Sequence, residues 1–589
     1  MSILPFLAIC TAGALLTFLL QPLRAVGRFA AIAALLAAFV AAAATSANTS
    51  LTAGEVQLRT TQFVVLFLAA GTGLCLLLCL LGLTTGWPER LTPAALTTFG
   101  ALAIALSAMD AGVALIAAAA AATPAAVVAI RIHPGQDALA AEAGSAETVP
   151  VARLIGVRIA ELRILALIVA GAMLGAITAT PLPWRSDPSP FFALSLLVLA
   201  LAVAVRCGVI PFHVSTARLS TTASRLALPL LLAWIPAGFA AIAVAWTPGT
   251  YAYQNDWFTV AIRLIQALAI ATLVLGAVGA FLHDELEEIA AYSIVQDAGF
   301  LMLALAARDM DIGEPLRLWL LVFIGVKAAL LAWVAAMAWL FGSSHLGDLR
   351  GWARRAPVLA VGLVVVVAAT LGWPGSPVYE ARKQIVSLAL PSQLQLAAVA
   401  ASLLALVYYG RLLVIGLLPP GERVLSSSGE RPRSVPPVPE PAREDRPALE
   451  LAFEMTSIGP RGAMKAAPVR RRRKSDPATL WRANVPIRTS LLALAVALLA
   501  AVVAFGGFGS RDAAGTGTGL DVLNSSVEPT DTPEPTDTPE PTASPTPTIQ
   551  VTPSPTPAPT ETTSGSPSSK PSGSGKASPL PSAKASSKP

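Results

Sequence analysis

Cysteine and histidine are scarce in this 589-residue chain, with only four of each. Cys10, Cys75, Cys79 and Cys207 all lie inside apolar runs, and their spacing fits no disulfide framework and no iron–sulfur cluster. Cys75 and Cys79 are one helical turn apart, but no further soft ligand accompanies them. They read as small apolar packing residues, not as a metal site. Charge is equally thin: 13% of residues are charged against 54% hydrophobic, and the mean hydropathy is +0.66. A soluble domain cannot hide that much apolar surface, so the chain reads as an integral membrane protein. No dinucleotide-binding, iron–sulfur or haem motif is visible, so no cofactor of its own is expected. The net charge of +6 does not point to nucleic acid, because the basic residues gather in short loops beside apolar runs. The run Arg470–Lys474 sits just upstream of one such run and reads as a topology determinant. The N-terminus lacks the charged start of a secretory signal, so its first apolar run reads as a retained span.

Apolar runs of spanning length fall at 3–20, 27–46, 62–86, 93–109, 110–131, 156–180, 190–213, 225–247, 257–282, 288–307, 317–341, 358–390, 394–416 and 489–508. At roughly 20 residues per crossing, they give about fourteen transmembrane helices in an all-α polytopic membrane protein. Arg24 and Arg28, the 131–163 loop, Arg218 and Arg225, Arg350 to Arg355, and the 418–488 loop all share one side if the N-terminus is outside. The positive-inside rule makes that side cytoplasmic and puts the C-terminus outside as well. This pattern requires 358–390 to be one helix broken at Gly372-Trp-Pro-Gly-Ser-Pro377. Breaks of that kind are tolerated where the freed backbone faces protein or a water-filled cavity, and they commonly form ion sites. The organisation read from the sequence is five segments: N-terminal helices over 1–92, a membrane core over 93–416, a basic Pro-rich cytoplasmic loop over 417–488, a last helix over 489–508, and a tail over 509–589. The Thr/Pro/Ser composition of the tail cannot bury a core, so it is expected to be disordered and extracytoplasmic, as a stalk or a plain solubilising extension.

Ionisable residues within this apolar background carry the functional signal. Arg206, Lys327, Arg382 and Lys383 lie in or beside apolar runs. A charge near the bilayer centre costs about 2.5–3.5 kcal/mol on insertion scales, so it normally faces a polar interior and marks an ion path. Asp297 and Glu380 are the available counter-charges, and His213 is a further relay candidate.

Several stretches resemble one known family. They are Cys207-Gly-Val-Ile-Pro-Phe-His-Val214, Ala290-Ala-Tyr-Ser-Ile-Val-Gln-Asp-Ala-Gly-Phe300, Val326-Lys-Ala-Ala-Leu-Leu331, Asp348-Leu-Arg-Gly-Trp-Ala-Arg-Arg-Ala-Pro357, Gly372-Trp-Pro-Gly375 and Tyr408-Tyr-Gly-Arg411. In order, spacing and helix placement they resemble the antiporter-like membrane subunits of respiratory complex I (NADH:quinone oxidoreductase), its N subunit above all, and of Mrp-type cation/proton antiporters. The likeness is strongest over 190–416, with Ser107-Ala-Met-Asp110 and Pro124 at similar spacing in the N-terminal third. It implies two inverted repeats with broken helices in the cytoplasmic (inner) membrane. It also implies a proton or cation path along mid-membrane lysines and partners that are other membrane subunits of a complex I-like or Mrp-like assembly. The redox centres would belong to those partners and not to this chain. By the resemblance, Arg206 stands at the seventh-helix lysine, Lys327 at the eleventh-helix lysine, and Arg382 or Lys383 at the twelfth-helix lysine.

The departures from the family pattern are equally specific. No carboxylate occurs near Ala119, where the fifth-helix glutamate would fall, and no base near Ile235, where the eighth-helix base would fall. Glu285-Leu-Glu-Glu288 reverses the charge of the family's entry to its tenth helix. Arg206 cannot switch as lysine can, because guanidinium does not deprotonate in proteins. The first half-channel is therefore expected to be impaired, with Lys327 and Lys383 left as titrating groups. Structural alternatives stand beside these roles. Lys327 pairs with Asp297, Arg382 and Lys383 snorkel to an interface, His213 caps a helix end, Asp110 sits at the outer interface, and Glu287 and Glu288 form a solvated helix start. At the level of the whole protein the alternatives are a non-transporting structural paralogue anchored in the envelope, an Mrp-type antiporter subunit, or a transporter of an anionic solute held at Arg206.

Overall fold

The computed structural model describes residues 2–87, 90–129, 189–246, 256–419 and 487–505, together with Thr518. The apolar run 156–180, nearly all of the basic loop and nearly all of the tail lie outside the described residues. Within them the chain opens with α1 (Leu4–Leu19) and α2 (Arg24–Ala44), followed by strands β1 (Thr49–Ala53) and β2 (Val56–Thr60). Next come α3 (Gln62–Thr85), α4 (Leu91–Ser107), α5 (Ala111–Ala129), α6 (Ser189–Cys207), α7 (His213–Thr222) and α8 (Ile235–Trp246). The rest of the bundle is α9 (Asp256–Leu282), α10 (Leu286–Leu305), α11 (Gly313–Phe341), α12 (Pro357–Leu371), α13 (Pro377–Ala389), α14 (Ser392–Leu403), α15 (Ala405–Leu417) and α16 (Ile487–Ala504). Among the described residues, seven helices are long and apolar enough to cross a membrane, α14 and α15 counting as one continuous span. α1, α4 and α12 are apolar but shorter.

Local chemistry sets the helix limits. Thr61 caps α3 by accepting from Val64 N at 3.3 Å. Asp110 accepts from Val113 N at 2.8 Å at the start of α5, and Ser376 accepts from Tyr379 N at 3.3 Å at the start of α13. Each oxygen satisfies a donor that a helix start leaves open. The expected break in 358–390 is present: α12 ends at Leu371, Gly372 takes a φ of 73° that side-chain-bearing residues avoid, and Pro377 opens α13.

Three departures from the sequence reading have local causes. The run 190–213 is not one helix; α6 stops at Cys207 and α7 starts at His213, because Gly208 and Pro211 interrupt it. In the run 225–247, Pro236 has no N–H to donate, and the preceding turn Leu230–Trp234 widens into a π turn in which Ile235 N bonds Leu230 O. Residues 49–60 form an antiparallel hairpin with Thr49 opposite Thr60, in a segment whose Leu51, Val56 and Leu58 alternate with polar neighbours. Met109 N bonds Gln57 O at 3.0 Å, so the hairpin lies against the end of α4.

α10 and α11 form the buried axis. From Pro315 to Ala338 every residue of α11 is buried, and so is nearly all of α10. α9 lies against α10 so closely that a Cβ at Gly276 would come within 2.5 Å of the Gln296 backbone nitrogen. Gly276→Ala is therefore expected to destabilise the chain by about 1–3 kcal/mol through overpacking. Gly410→Ala, where a Cβ meets nothing within 4 Å, should not. Unfolding of the two variants in neutral detergent checks the contrast.

Candidate functional site

Lys327 sits at the midpoint of α11 and has no solvent exposure. Its Nζ lies 2.6 Å from Asp297 Oδ2 and donates to Ser293 Oγ at 2.8 Å. Ser293, Gln296, Asp297 and Phe300 recur at i, i+3, i+4 and i+7, so they share one face of α10. Arg382 of α13 reaches the other oxygen of the same carboxylate, with Nη2 3.2 Å from Asp297 Oδ1. Its guanidinium carbon stands 5.0 Å over the Phe300 ring. The α12–α13 break makes this reach possible, because Arg382 Nη1 also points at the freed Leu371 carbonyl at 3.5 Å.

Two tyrosines of α15 complete the cluster. Tyr409 hydroxyl lies 2.9 Å from Ser293 Oγ, and Tyr408 hydroxyl lies 3.0 Å from both Ser293 Oγ and Gln296 Oε1. Gln296 Nε2 donates to Ala401 O at 3.0 Å. Each polar side chain on this face of α10 thus has a partner, as a buried polar network requires, although the buried Nε of Arg382 has none among the described residues. Counting charge, one carboxylate faces two cations. Arg382 cannot give up its proton, so Lys327 is the member whose deprotonation leaves a neutral Asp297–Arg382 pair. The hydroxyls of Ser293, Tyr408 and Tyr409 both donate and accept, so they offer a proton a way on from Lys327.

The other residues singled out from the sequence are placed elsewhere. Lys383 follows Arg382 by 100° of helix rotation and faces outward; its side chain is 67% exposed and stands 3.9 Å from Glu380. The structure therefore does not bring Lys383 or Glu380 to Asp297. Arg206 is buried in the last turn of α6, just before the break. His213 opens α7 with its ring 6.0 Å from Tyr292, whose other neighbour is the His283 ring, stacked at 4.6 Å. The His213 Nδ1 atom is buried with no hydrogen-bond partner among the described residues. Asp110 is a helix cap. Glu287 corrects the expected solvated helix start: it is 5% exposed, and its carboxylate takes the Arg225 Nε hydrogen bond at 2.5 Å. Glu288 faces His283 at 3.7 Å. At the same end of α10, Arg411 bonds Asp284 and the Phe281 and His283 carbonyls, tying α15 to the α9–α10 turn. Ala119 and Ile235 bring no ionisable group to the interior, and none occurs on the described part of α5 or α8.

Sequence reasoning did not single out Ser293, Gln296, Tyr408 or Tyr409 as site residues. Their signal was present in the i, i+3, i+4 spacing of Ser293, Gln296 and Asp297 and in the adjacency of two of the chain's six tyrosines.

Residues 176–407 match the family described as NADH:quinone oxidoreductase/Mrp antiporter, transmembrane. The chain is 28% identical over 268 residues to NADH-quinone oxidoreductase subunit N of Deinococcus radiodurans, covering 45% of this chain and 51% of that protein. It is 28% identical over 195 residues to NADH-quinone oxidoreductase subunit N 2 of Herpetosiphon aurantiacus, 31% of this chain and 35% of that one. It is 25% identical over 200 residues to NAD(P)H-quinone oxidoreductase subunit 2 of Prochlorococcus marinus, 34% of this chain and 38% of that one. The chain thus spans about a third to a half of the length of these curated relatives. In fold it is similar to a chain of respiratory complex I from Thermus thermophilus, with TM-score 0.56 and 18% identity over 71% of this chain and 91% of the other. A chain of the Mrp complex from Dietzia sp. gives TM-score 0.58 and 18% identity over 88% and 96%. At such identity the likeness is one of fold.

Proposed function

We propose, from the premise that residues 176–407 belong to the NADH:quinone oxidoreductase/Mrp antiporter transmembrane family, that this antiporter-like membrane subunit translocates protons or cations within an NADH:quinone oxidoreductase-type complex. The observation that carries the reading is Lys327, wholly buried, sharing the Asp297 carboxylate with Arg382. A full positive charge with no exposure in mid-helix is costly and is retained chiefly where charge moves. In the proposed cycle Lys327 gains and loses a proton beside the fixed Asp297–Arg382 pair, and Ser293 with Tyr408 and Tyr409 relays it. Conformational or electrostatic coupling to redox-bearing partner subunits drives the change.

The finer topology belongs to the same proposal. It comprises about fourteen spans in two inverted repeats within the inner membrane, both termini outside and the tail extracytoplasmic. Helix breaks in both halves, at 208–212 and 372–376, support it. The first half-channel is read as impaired, since Arg206 cannot release a proton and α5 and α8 offer no ionisable side chain among the described residues. Lys383 with Glu380, and His213 with Tyr292, are then outlying stations of the path.

The bareness of α5 and α8 favours a second reading, a non-transporting structural paralogue, and an Mrp-type antiporter subunit is the variant of the first. A mild-detergent pull-down of the tagged chain from its native membranes, with partners identified by mass spectrometry, separates them. Recovery of quinone-oxidoreductase subunits supports the first reading, and recovery of other antiporter-like subunits alone supports the Mrp variant. Capture of neither moves the weight to the scaffold. Lys383→Gln in the same preparation is expected to change the unfolding free energy by less than about 0.5 kcal/mol, because an exposed side chain 3.9 Å from its partner contributes little.

A further inference from the structure

We propose that Gln296 is a positioning residue that holds the Tyr408 hydroxyl hydrogen and so closes the way from Lys327 through Ser293 to Tyr409. The inference rests on the titrating role of Lys327 proposed above and adds the device that keeps its proton in place.

Gln296 is 1% exposed, and its backbone is pressed against α9 at Gly276, where an added Cβ would meet its nitrogen at 2.5 Å. Its side chain can sit only one way round. Ala401 O of α14 is an acceptor, so the amide nitrogen must face it, at 3.0 Å. The amide oxygen is thereby turned toward the Tyr408 hydroxyl. Tyr408 has two acceptors in reach, Gln296 Oε1 and Ser293 Oγ, both at 3.0 Å, and a single hydrogen to give.

Protonated Lys327 donates to Ser293 Oγ at 2.8 Å, which leaves that oxygen one lone pair and one hydrogen for two tyrosines. Two settings result. With the Tyr408 hydrogen on Gln296, Ser293 gives its hydrogen to Tyr408 and accepts from Tyr409, 2.9 Å away. A proton leaving Lys327 through Ser293 then reaches only Tyr408, whose own hydrogen faces an amide oxygen, while Tyr409 points its hydrogen back at the serine. This setting is closed. With the Tyr408 hydrogen on Ser293, the serine donates to Tyr409, and Lys327, Ser293 and Tyr409 form a wire of one polarity. Lys327 can then become a neutral amine as each hydroxyl receives one hydrogen and hands its own to the next acceptor. This setting is open, but it strips Gln296 Oε1 of its donor. A bared buried acceptor costs at least about 1 kcal/mol, which disfavours the open setting by about fivefold or more. Gln296 takes no proton itself; it fixes the direction in which its neighbours pass one.

The test uses inverted membrane vesicles carrying the assembled complex. They are energised until the electron donor is exhausted, and the decay of the dye-reported pH gradient is timed. Gln296→Met and Tyr408→Phe each abolish the bias, raising the open share from about one in six or less to about one in two. Each is expected to speed the decay about threefold or more. The two combined should decay no faster than either alone, because they break the same bond. Adding Lys327→Met to either should restore the unmodified decay. Gln266→Met breaks a different tie between helices, the 2.6 Å bond to Ala389 O, and should leave the decay unchanged. Tyr408→Phe keeps the bond from Gln296 to Ala401, so it carries the decision if Gln296→Met fails to fold. The proposal is overturned if Tyr408→Phe decays at the unmodified rate, if Gln266→Met speeds decay equally, or if Lys327→Met does not suppress the leak. Translocation by Lys327→Met alone tells the possible failures apart. If it is lost while Tyr408→Phe decays normally, the closing device is wrong and the proposed function stands; if it is normal, both are wrong.

Discussion

Asp297→Asn is expected to lower the unfolding free energy of the detergent-solubilised chain by about 3–5 kcal/mol, the range for removing one member of a buried ion pair. The sign follows from charge. With the carboxylate gone, Lys327 and Arg382 remain 0% and 12% exposed, two like charges with no anion among the groups bonded to them. The amide oxygen can still accept one hydrogen bond, which replaces a small part of the loss. Hydrogen bonds between membrane helices average only about 0.6 kcal/mol, so a loss of that size would mean that water or a rearranged side chain neutralises the cluster. Reversible unfolding in mixed detergent reads the difference directly. A change under about 1 kcal/mol would contradict the picture of a dry, charge-bridged site.

Lys327→Met is expected to behave in the opposite way. It is close to isosteric, so packing around α11 is kept within about 1.5 kcal/mol. What remains is Asp297 bonded to Arg382, a neutral pair. Ser293 keeps its two tyrosine contacts at 2.9 and 3.0 Å and loses only the lysine donor. Stability should therefore change little, while proton translocation by membranes carrying the assembled complex should fall at least tenfold, because the cluster loses the one amine that can take up and release a proton beside the Asp297–Arg382 pair. Dye-reported acidification of inverted vesicles, alongside thermal unfolding of the same protein, checks both halves. A variant that pumps normally would remove Lys327 from the path. One that neither pumps nor folds would make the lysine a structural ion-pair member. Asp297→Asn and Lys327→Met thus separate the two roles open to Lys327: a structural lysine is missed in folding, a titrating lysine in turnover.

Much of this was legible from hydropathy. Each apolar run within the described residues is largely helical, with 190–213 interrupted at 208–212, and the helix break at 372–376 follows from Gly372, Pro374 and Pro377. The partnership of Lys327 with Asp297 was also open to the sequence, because few carboxylates exist at that depth to choose from. Which of Arg382 and Lys383 turns inward was not. Consecutive helical residues point 100° apart, and only the packing of Val378, Ala381 and Ile385 against the bundle fixes the rotation of α13. Tyr408 and Tyr409 meet Ser293 across more than a hundred residues of chain, a pairing that no local pattern encodes. Glu287 looked like a solvated first-turn acid, but the Arg225 partner that buries it comes from the loop before α8.

The central claim is that Lys327 must titrate. Lys327→Arg tests it most directly, because arginine keeps the charge beside Asp297 while withholding a releasable proton. The measurement is proton translocation by inverted membrane vesicles carrying the assembled complex, with Lys327→Arg compared to the unmodified chain at equal subunit content. Fully assembled complex with translocation reduced at least tenfold is the expected result. Translocation at the unmodified rate would show that a fixed positive charge suffices at this position, and the titrating role would be wrong.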